Sequence, residues 1–356
     1  MINTIQMIRG FAAFIVVCHH IAMVLTIYGA AGGVRDGWDL VFEKGGAGVD
    51  LFFVVSGVIM MVIRKNYIDE TTGRRDGWRF ITKRVERIMP PLWIYTTLAL
   101  IGTFILGKNS FTPLEIVLSY FLVPINQSYP LIVAWSLVFE WHFYLLFALT
   151  LYLTRSIKWQ ILIIAVVFGS VTLASIIHYP QEIMFRFLIH PLYGEFIAGI
   201  LIGWALTNNT WRARLLNWWQ MGAVLVMAGA VSFFWLAYVM ELPRATPWRL
   251  VAYGMPATFI VLGLLMMEKK IGHAIPKPLM VLGNASYSLY LSHVLVLHAI
   301  GVVWRQLGLA QQVSDIVLIG LCLVLTVAWS VLTYDFVEKG LVNRVKALVS
   351  GRVKTA

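Results

Sequence analysis

One apolar stretch, residues 5–28, holds a cation and two imidazoles: Arg9, His19 and His20. Ionisable groups are costly in hydrocarbon, so within a spanning helix they face a protein interior or a wet cavity and act there. Arg9 and His20 are eleven positions apart, about 16 Å along a helix axis and close to three turns. Steps of about 100° bring their side chains within about 20° of each other. One face of one helix then carries a guanidinium near its start and a titratable base further in. His19 lies about 100° off that face, where a bond to a neighbouring helix is the plainer role. For His20 the residues alone leave a structural hydrogen bond and a catalytic base equally open.

Other polar groups sit in apolar company. K-R-V-E-R puts Arg84 and Arg87 three apart, with Lys83 beside them. On a helix the two arginines share a face and form a fork for phosphates; ordinary charge at a cytoplasmic helix end is the alternative. G-V-D-L-F-F-V-V-S-G places Asp50 at the start of a span and Ser56 within it. An acid there compensates the helix dipole or partners the imidazole. In W-S-L-V-F-E-W-H-F-Y, Glu140 stands between Phe139 and Trp141, with Trp135 and His142 on the same run. That glutamate is not solvent-exposed surface; it bonds a neighbouring helix or has a functional role. G-N-A-S-Y-S-L-Y-L-S-H puts the hydroxyls of Ser286, Tyr287 and Tyr290 and the His293 imidazole into another crossing. Tyr290 and His293 touch substrate or support the site, and the alternative for the two tyrosines is an interfacial belt. A base in the bilayer with cations about 16 Å away suits a long anionic donor, phosphates at one end and a reactive group at the other. An acyl-coenzyme A has that shape, and thioester transfer to an alcohol needs a base and donors for the oxyanion. The competing class is a proton-coupled transporter or flippase, in which His and Glu relay protons; it predicts broken helices related by a repeat, and no repeat is visible.

These groups need helices to hold them. The 356 residues are 60% hydrophobic and 13% charged, against about 25% charged in a soluble domain. Mean hydropathy is +0.79. The class is an all-α polytopic membrane protein with about ten transmembrane helices, at 5–28, 47–63, 88–107, 132–153, 159–179, 191–207, 219–240, 249–267, 279–305 and 314–336. Segment 113–126 is apolar but short, an interfacial or re-entrant piece. The first stretch reads as a retained span and not a cleaved signal. With the N-terminus inside, all of the 28 Lys and Arg face the cytoplasm except Arg35, Lys44, Lys108, Arg186, Arg244, Arg249 and Arg305. That bias predicts two cytoplasmic termini. The net charge of +11 then reflects topology and anionic membrane lipids, not nucleic acid. Residues 1–340 form the membrane domain and 341–356 a basic cytoplasmic tail. Cys18 and Cys322 read as small buried hydrophobes, with no metal spacing.

The motifs, taken in order, resemble the membrane acyltransferase-3 family of exopolysaccharide and O-antigen O-acetyltransferases. I-Q-M-I-R-G-F-A-A-F-I-V-V-C-H-H, G-V-D-L-F-F-V-V-S-G, K-R-V-E-R-I-M-P-P-L-W, W-S-L-V-F-E-W-H-F-Y, G-N-A-S-Y-S-L-Y-L-S-H and Y-D-F-V-E-K carry the likeness over residues 5–339. The family's Arg-x10-His falls on Arg9 and His20, its Arg-x-x-Arg on Arg84 and Arg87, its buried acid on Glu140. The resemblance implies an acetyl or similar group taken from acetyl-CoA or another acyl-CoA and delivered to a hydroxyl of an exopolysaccharide, O-antigen or lipid-linked glycan. It implies a multi-pass protein of a bacterial inner membrane, without a metal and without an appended esterase-like domain. His20 is then the base or transient acyl carrier, Glu140 or Asp50 its partner, and Arg9, Arg84, Arg87 and Lys83 the donor-binding set. A homo-oligomer or polysaccharide-assembly partners stay open. The closing acid-Lys-Pro of many members is Glu338-Lys339-Gly340 here, which leaves that end without an assigned role.

Overall fold

The first helix starts against a carboxylate from another part of the chain. In the computed structural model, which describes residues 2–29, 42–68, 76–107, 110–242 and 248–340, helix α1 is Asn3–Tyr28. The amides of Asn3 and Thr4 donate to Glu268 at 3.0 and 2.9 Å, and the Thr4 hydroxyl donates to the same group. Free amides and the positive end of the helix dipole both favour an acid at that position. The start of α1, and with it Arg9, is fixed.

Among the described residues the structure is helical, without a strand. After α1 come α2 (Gly48–Ile63), α3 (Gly77–Ile105), the short α4 (Pro113–Tyr120), α5 (Ala134–Leu153), α6 (Ile157–Ile177), α7 (Ile183–Leu188) and α8 (Tyr193–Thr207). Then follow α9 (Asn209–Asn217), α10 (Trp219–Phe233), α11 (Met255–Met266), α12 (Glu268–Ile271), α13 (Lys277–Asn284), α14 (Ser286–Gln306) and α15 (Asp315–Thr333). Wider π-helical turns extend α10 over Phe234–Val239, precede α11 over Leu250–Gly254 and extend α15 over Tyr334–Lys339. Nine of the described helical runs are long and apolar enough to cross a membrane, and Leu250–Met266 is a shorter apolar helix. Those are the ten expected spans.

Two boundaries differ from expectation. The third span begins at Gly77 and not at 88, so Arg84 and Arg87 are helical; Asp76 caps it by accepting from the Arg79 amide at 2.9 Å. The helix runs on through Pro90 and Pro91, which lack the N–H groups that would bond the carbonyls of Glu86 and Arg87. The expected span 279–305 is two pieces, α13 and α14, broken at Ala285. Segment 113–126 is not a crossing: α4 has eight residues, closed by a capping box of Thr112 and Glu115. The tail 341–356 lies outside the described residues, as does most of the loop 30–46.

The most enclosed span is α2 with its flanking turns, Lys44–Tyr67, while α1 is more open. It packs so closely on α8 that a Cβ on Gly57 would come within 2.6 Å of the Phe196 carbonyl, and one on Gly199 within 2.1 Å of the Val54 carbonyl. Small residues that let backbones meet are the usual means of joining helices in lipid, where no hydrophobic gain drives association. Large apolar side chains such as Phe104, Ile105, Ile177 and Phe336 stay exposed on the outside, as a lipid-facing surface requires.

Candidate active site

Two helices carry matching stripes. On α1, Arg9, Ala13, Val16 and His20 recur at helical spacing; on α14, Ser286, Tyr290, His293 and Leu297 do the same. Residues spaced by three or four share a face. The two helices pack together, and the stripes meet at their histidines, His293 Nε2 lying 3.2 Å from His20 Nδ1.

The tautomers follow from the carbonyls. His293 Nδ1 is 3.0 Å from the Leu289 carbonyl, so that nitrogen carries the hydrogen and Nε2 is the acceptor. His20 Nδ1 is 2.9 Å from the Val16 carbonyl and donates, shared between that oxygen and His293. The lone pair of the neutral His20 ring is therefore on Nε2, and this is the nitrogen that can take a proton. His20 lines a recess together with His19, Met23, Thr26, Glu43 and Ile132. His19 is turned to the Phe42 carbonyl at 3.1 Å.

Toward the end where α1 and α14 begin lies a cavity of about 780 Å³, mouth included. Arg9, Arg84, Arg87, Glu140, Ser56 and Tyr290 all line it. Arg84 is only 8% exposed; its guanidinium lies over the rings of Phe80 (5.3 Å) and Tyr144 (5.6 Å), and its Nε has no hydrogen-bond partner. A buried guanidinium N–H without an acceptor is costly, which fits a site built for an anion. Glu140 accepts from Ser56 Oγ at 2.8 Å and from Tyr144 OH at 2.5 Å. Arg9 reaches Gln6 Oε1 at 3.5 Å. Tyr287 donates to the Ile88 carbonyl at 2.8 Å and so ties α14 to the arginine-bearing part of α3. Tyr290 separates cavity from histidines: its hydroxyl is 2.6 Å from Ser136 Oγ, and its ring centroid is 5.9 Å from that of His293.

Not every expected partner joins this site. Lys83 pairs with Glu86 at 2.8 Å and is not among the cavity's lining residues. Neither Glu140 nor Asp50 bonds His20. Asp50, 0% exposed, is held by both ends of the Arg249 guanidinium at 2.8 and 3.0 Å. Trp135 lies over that guanidinium, 5.6 Å from centroid to Cζ, and faces a different groove. By sequence alone Arg249 reads only as a far-side charge. Glu195, wholly buried on α8, is a further site acid that sequence reasoning does not reach, although an acid inside an apolar run is the same signal that marks Glu140. Glu338 accepts from Ser288 at 3.0 Å, which gives the π-helical end of α15 a bond into α14.

The family model for an acyltransferase domain matches residues 2–335. The exopolysaccharide production protein ExoZ of Rhizobium meliloti (strain 1021) is 30% identical over 325 residues, covering 87% of this chain and 95% of ExoZ. BcsY of Komagataeibacter xylinus, provisionally named a membrane-bound transacylase, is 24% identical over 370 residues, 98% of this chain and 85% of its own. No solved structure matches.

Proposed function

We propose a reaction from one premise: the chain belongs to the acyltransferase-3 family. The reading is an acetyl-CoA-dependent O-acetyltransferase acting on a hydroxyl of an exopolysaccharide or its lipid-linked precursor. One observation carries it. Three arginines line a cavity whose Tyr290 wall leads to a histidine pair with a basic nitrogen on His20. The names of ExoZ and BcsY support a polysaccharide acceptor and acyl transfer.

Arg9, Arg84 and Arg87 hold the donor's phosphates, and the Arg84 Nε supplies a donor otherwise left without an acceptor. Glu140 balances part of that charge and, through Tyr144, sets the ring on which Arg84 lies. His20 Nε2 takes the proton of the acceptor hydroxyl. The hydroxyl oxygen attacks the thioester carbon, the carbon–sulfur bond breaks, and the proton passes from His20 to the departing sulfur. His293 holds His20 Nδ1–H throughout, the role that a carboxylate has in a Ser-His-Asp triad.

The test uses purified protein in lipid nanodiscs with acetyl-labelled acetyl-CoA and de-acylated exopolysaccharide. Label is expected on the glycan with the native chain. His20→Ala is expected to abolish it while binding coenzyme A normally. Arg84→Ala is expected to weaken coenzyme A binding by about tenfold or more, the value of a charge-assisted bond. Full transfer by His20→Ala, or unchanged affinity in Arg84→Ala by calorimetry, would reject the respective role.

A further inference from the structure

A second groove lies at the other end of the bundle, where α5 begins and α6 ends. It holds about 670 Å³ of open space and draws on the loop before α5, on Trp135 and Phe139 of α5, and on Tyr179, Ile183, Arg186 and His190 around α7. Two large rings dominate it. Trp135 is backed by Arg249, which the buried bond to Asp50 holds still. Tyr179 is backed by Arg186, whose Nε and Nη2 are fixed on the carbonyls of Pro180 and Gln181 at 3.0 and 2.8 Å. Each ring thus has a guanidinium over one face.

Polar groups stand among the rings. Neither the Trp135 indole N–H nor the Tyr179 hydroxyl has a hydrogen-bond partner among the described residues. His190 Nδ1 accepts the Leu192 amide at 3.2 Å, which leaves the hydrogen of the neutral ring on Nε2. Flat apolar faces beside outward donors match a pyranose, whose C–H face stacks on a ring while its hydroxyls bond at the edge. A lipid chain would leave those donors without acceptors.

The groove also adjoins the chemistry. Ile132 lines it and lines the His20 recess as well. We infer that this groove is the acceptor-saccharide subsite, with Trp135 and Tyr179 as its stacking platforms, and that a sugar held there presents its hydroxyl past Ile132 to His20. The inference rests on the acyltransferase reading above and adds the place where the glycan binds. It also gives the Asp50–Arg249 pair a positioning role, through Trp135.

Calorimetry on the full chain in nanodiscs separates the two readings. The probes are oligosaccharides cut from de-acylated exopolysaccharide and, separately, coenzyme A. Tyr179→Ala removes one platform; Ile183→Trp fills the groove from a position that is 42% exposed. Both are expected to weaken oligosaccharide binding about tenfold or more and to leave coenzyme A affinity as in the native chain. Native affinity for the oligosaccharide in both variants, or no oligosaccharide binding by a native chain that labels the polymer, overturns the groove. Oligosaccharide binding that both variants weaken, in a chain that never takes label from acetyl-CoA, upholds the groove and removes the donor instead.

Discussion

A histidine ring held by a carbonyl carries its hydrogen on one nitrogen only, and here two such rings are set in series. Leu289 fixes His293, His293 and Val16 fix His20, and the free choice of tautomer is gone before substrate arrives. This preorganisation is what a general base needs. Removing His293 takes away one of the groups that hold His20 Nδ1, so the ring is less firmly aimed. A misplacement of about 1 Å costs about a hundredfold. His293→Ala is therefore expected to lower kcat by about that factor, with KM for the acyl donor unchanged. His293→Gln, which offers an acceptor oxygen, is expected to recover part of the loss. Steady-state kinetics that show KM and not kcat responding would assign His293 to donor binding. The buried Asp50–Arg249 pair belongs to this scale too. Breaking one partner leaves a buried charge uncompensated, so Asp50 acts through Arg249 and not through His20.

At the scale of elements, the site depends on how closely helices approach. Ser56, which donates to Glu140, and Asp50 both stand on α2, and α2 is held against α8 by backbone contact at Gly57 and Gly199. A side chain at Gly199 must push the helices apart. Gly199→Leu is expected to lower the melting temperature in detergent by several degrees and to reduce acyl transfer, as overpacking costs about 1–3 kcal/mol. Gly169 on α6 provides the contrast, because a Cβ there meets nothing within 4 Å. Gly169→Ala is expected to keep or raise stability, by up to about 1 kcal/mol of helix propensity. A melting point equally lowered by both substitutions would show that helix approach is not what Gly199 serves. On α3 the arginine pair shares one face because the helix begins at Gly77, before it.

For the whole molecule, the cavity's arginines and the aromatic groove lie toward opposite ends of the bundle, and Ile132 lines both the groove and the His20 recess. On the roles proposed above, donor and acceptor would approach from different sides of the membrane. With acetyl-CoA added from outside, inverted vesicles are expected to label polysaccharide and right-side-out vesicles are not, until they are permeabilised. Equal labelling in both intact preparations would place the donor site on the other face or open it to both.

Helical periodicity and hydropathy are local properties, and the sequence by itself settled what depends on them. The polytopic class, the ten apolar runs and the shared face of Arg9 and His20 all follow from spacing along one helix. The shared face of Arg84 and Arg87 needed a helix that starts before them. Glu140 was legible because an acid in an apolar run must have a partner somewhere. Which partner it has is a matter between helices, and no period encodes it. Only the packed structure gave His20 a second imidazole, gave Asp50 to Arg249, left Lys83 to Glu86 and brought Trp135 and Tyr179 to one groove. Those pairings are set by interhelical distance and rotation, which every span's neighbours decide together.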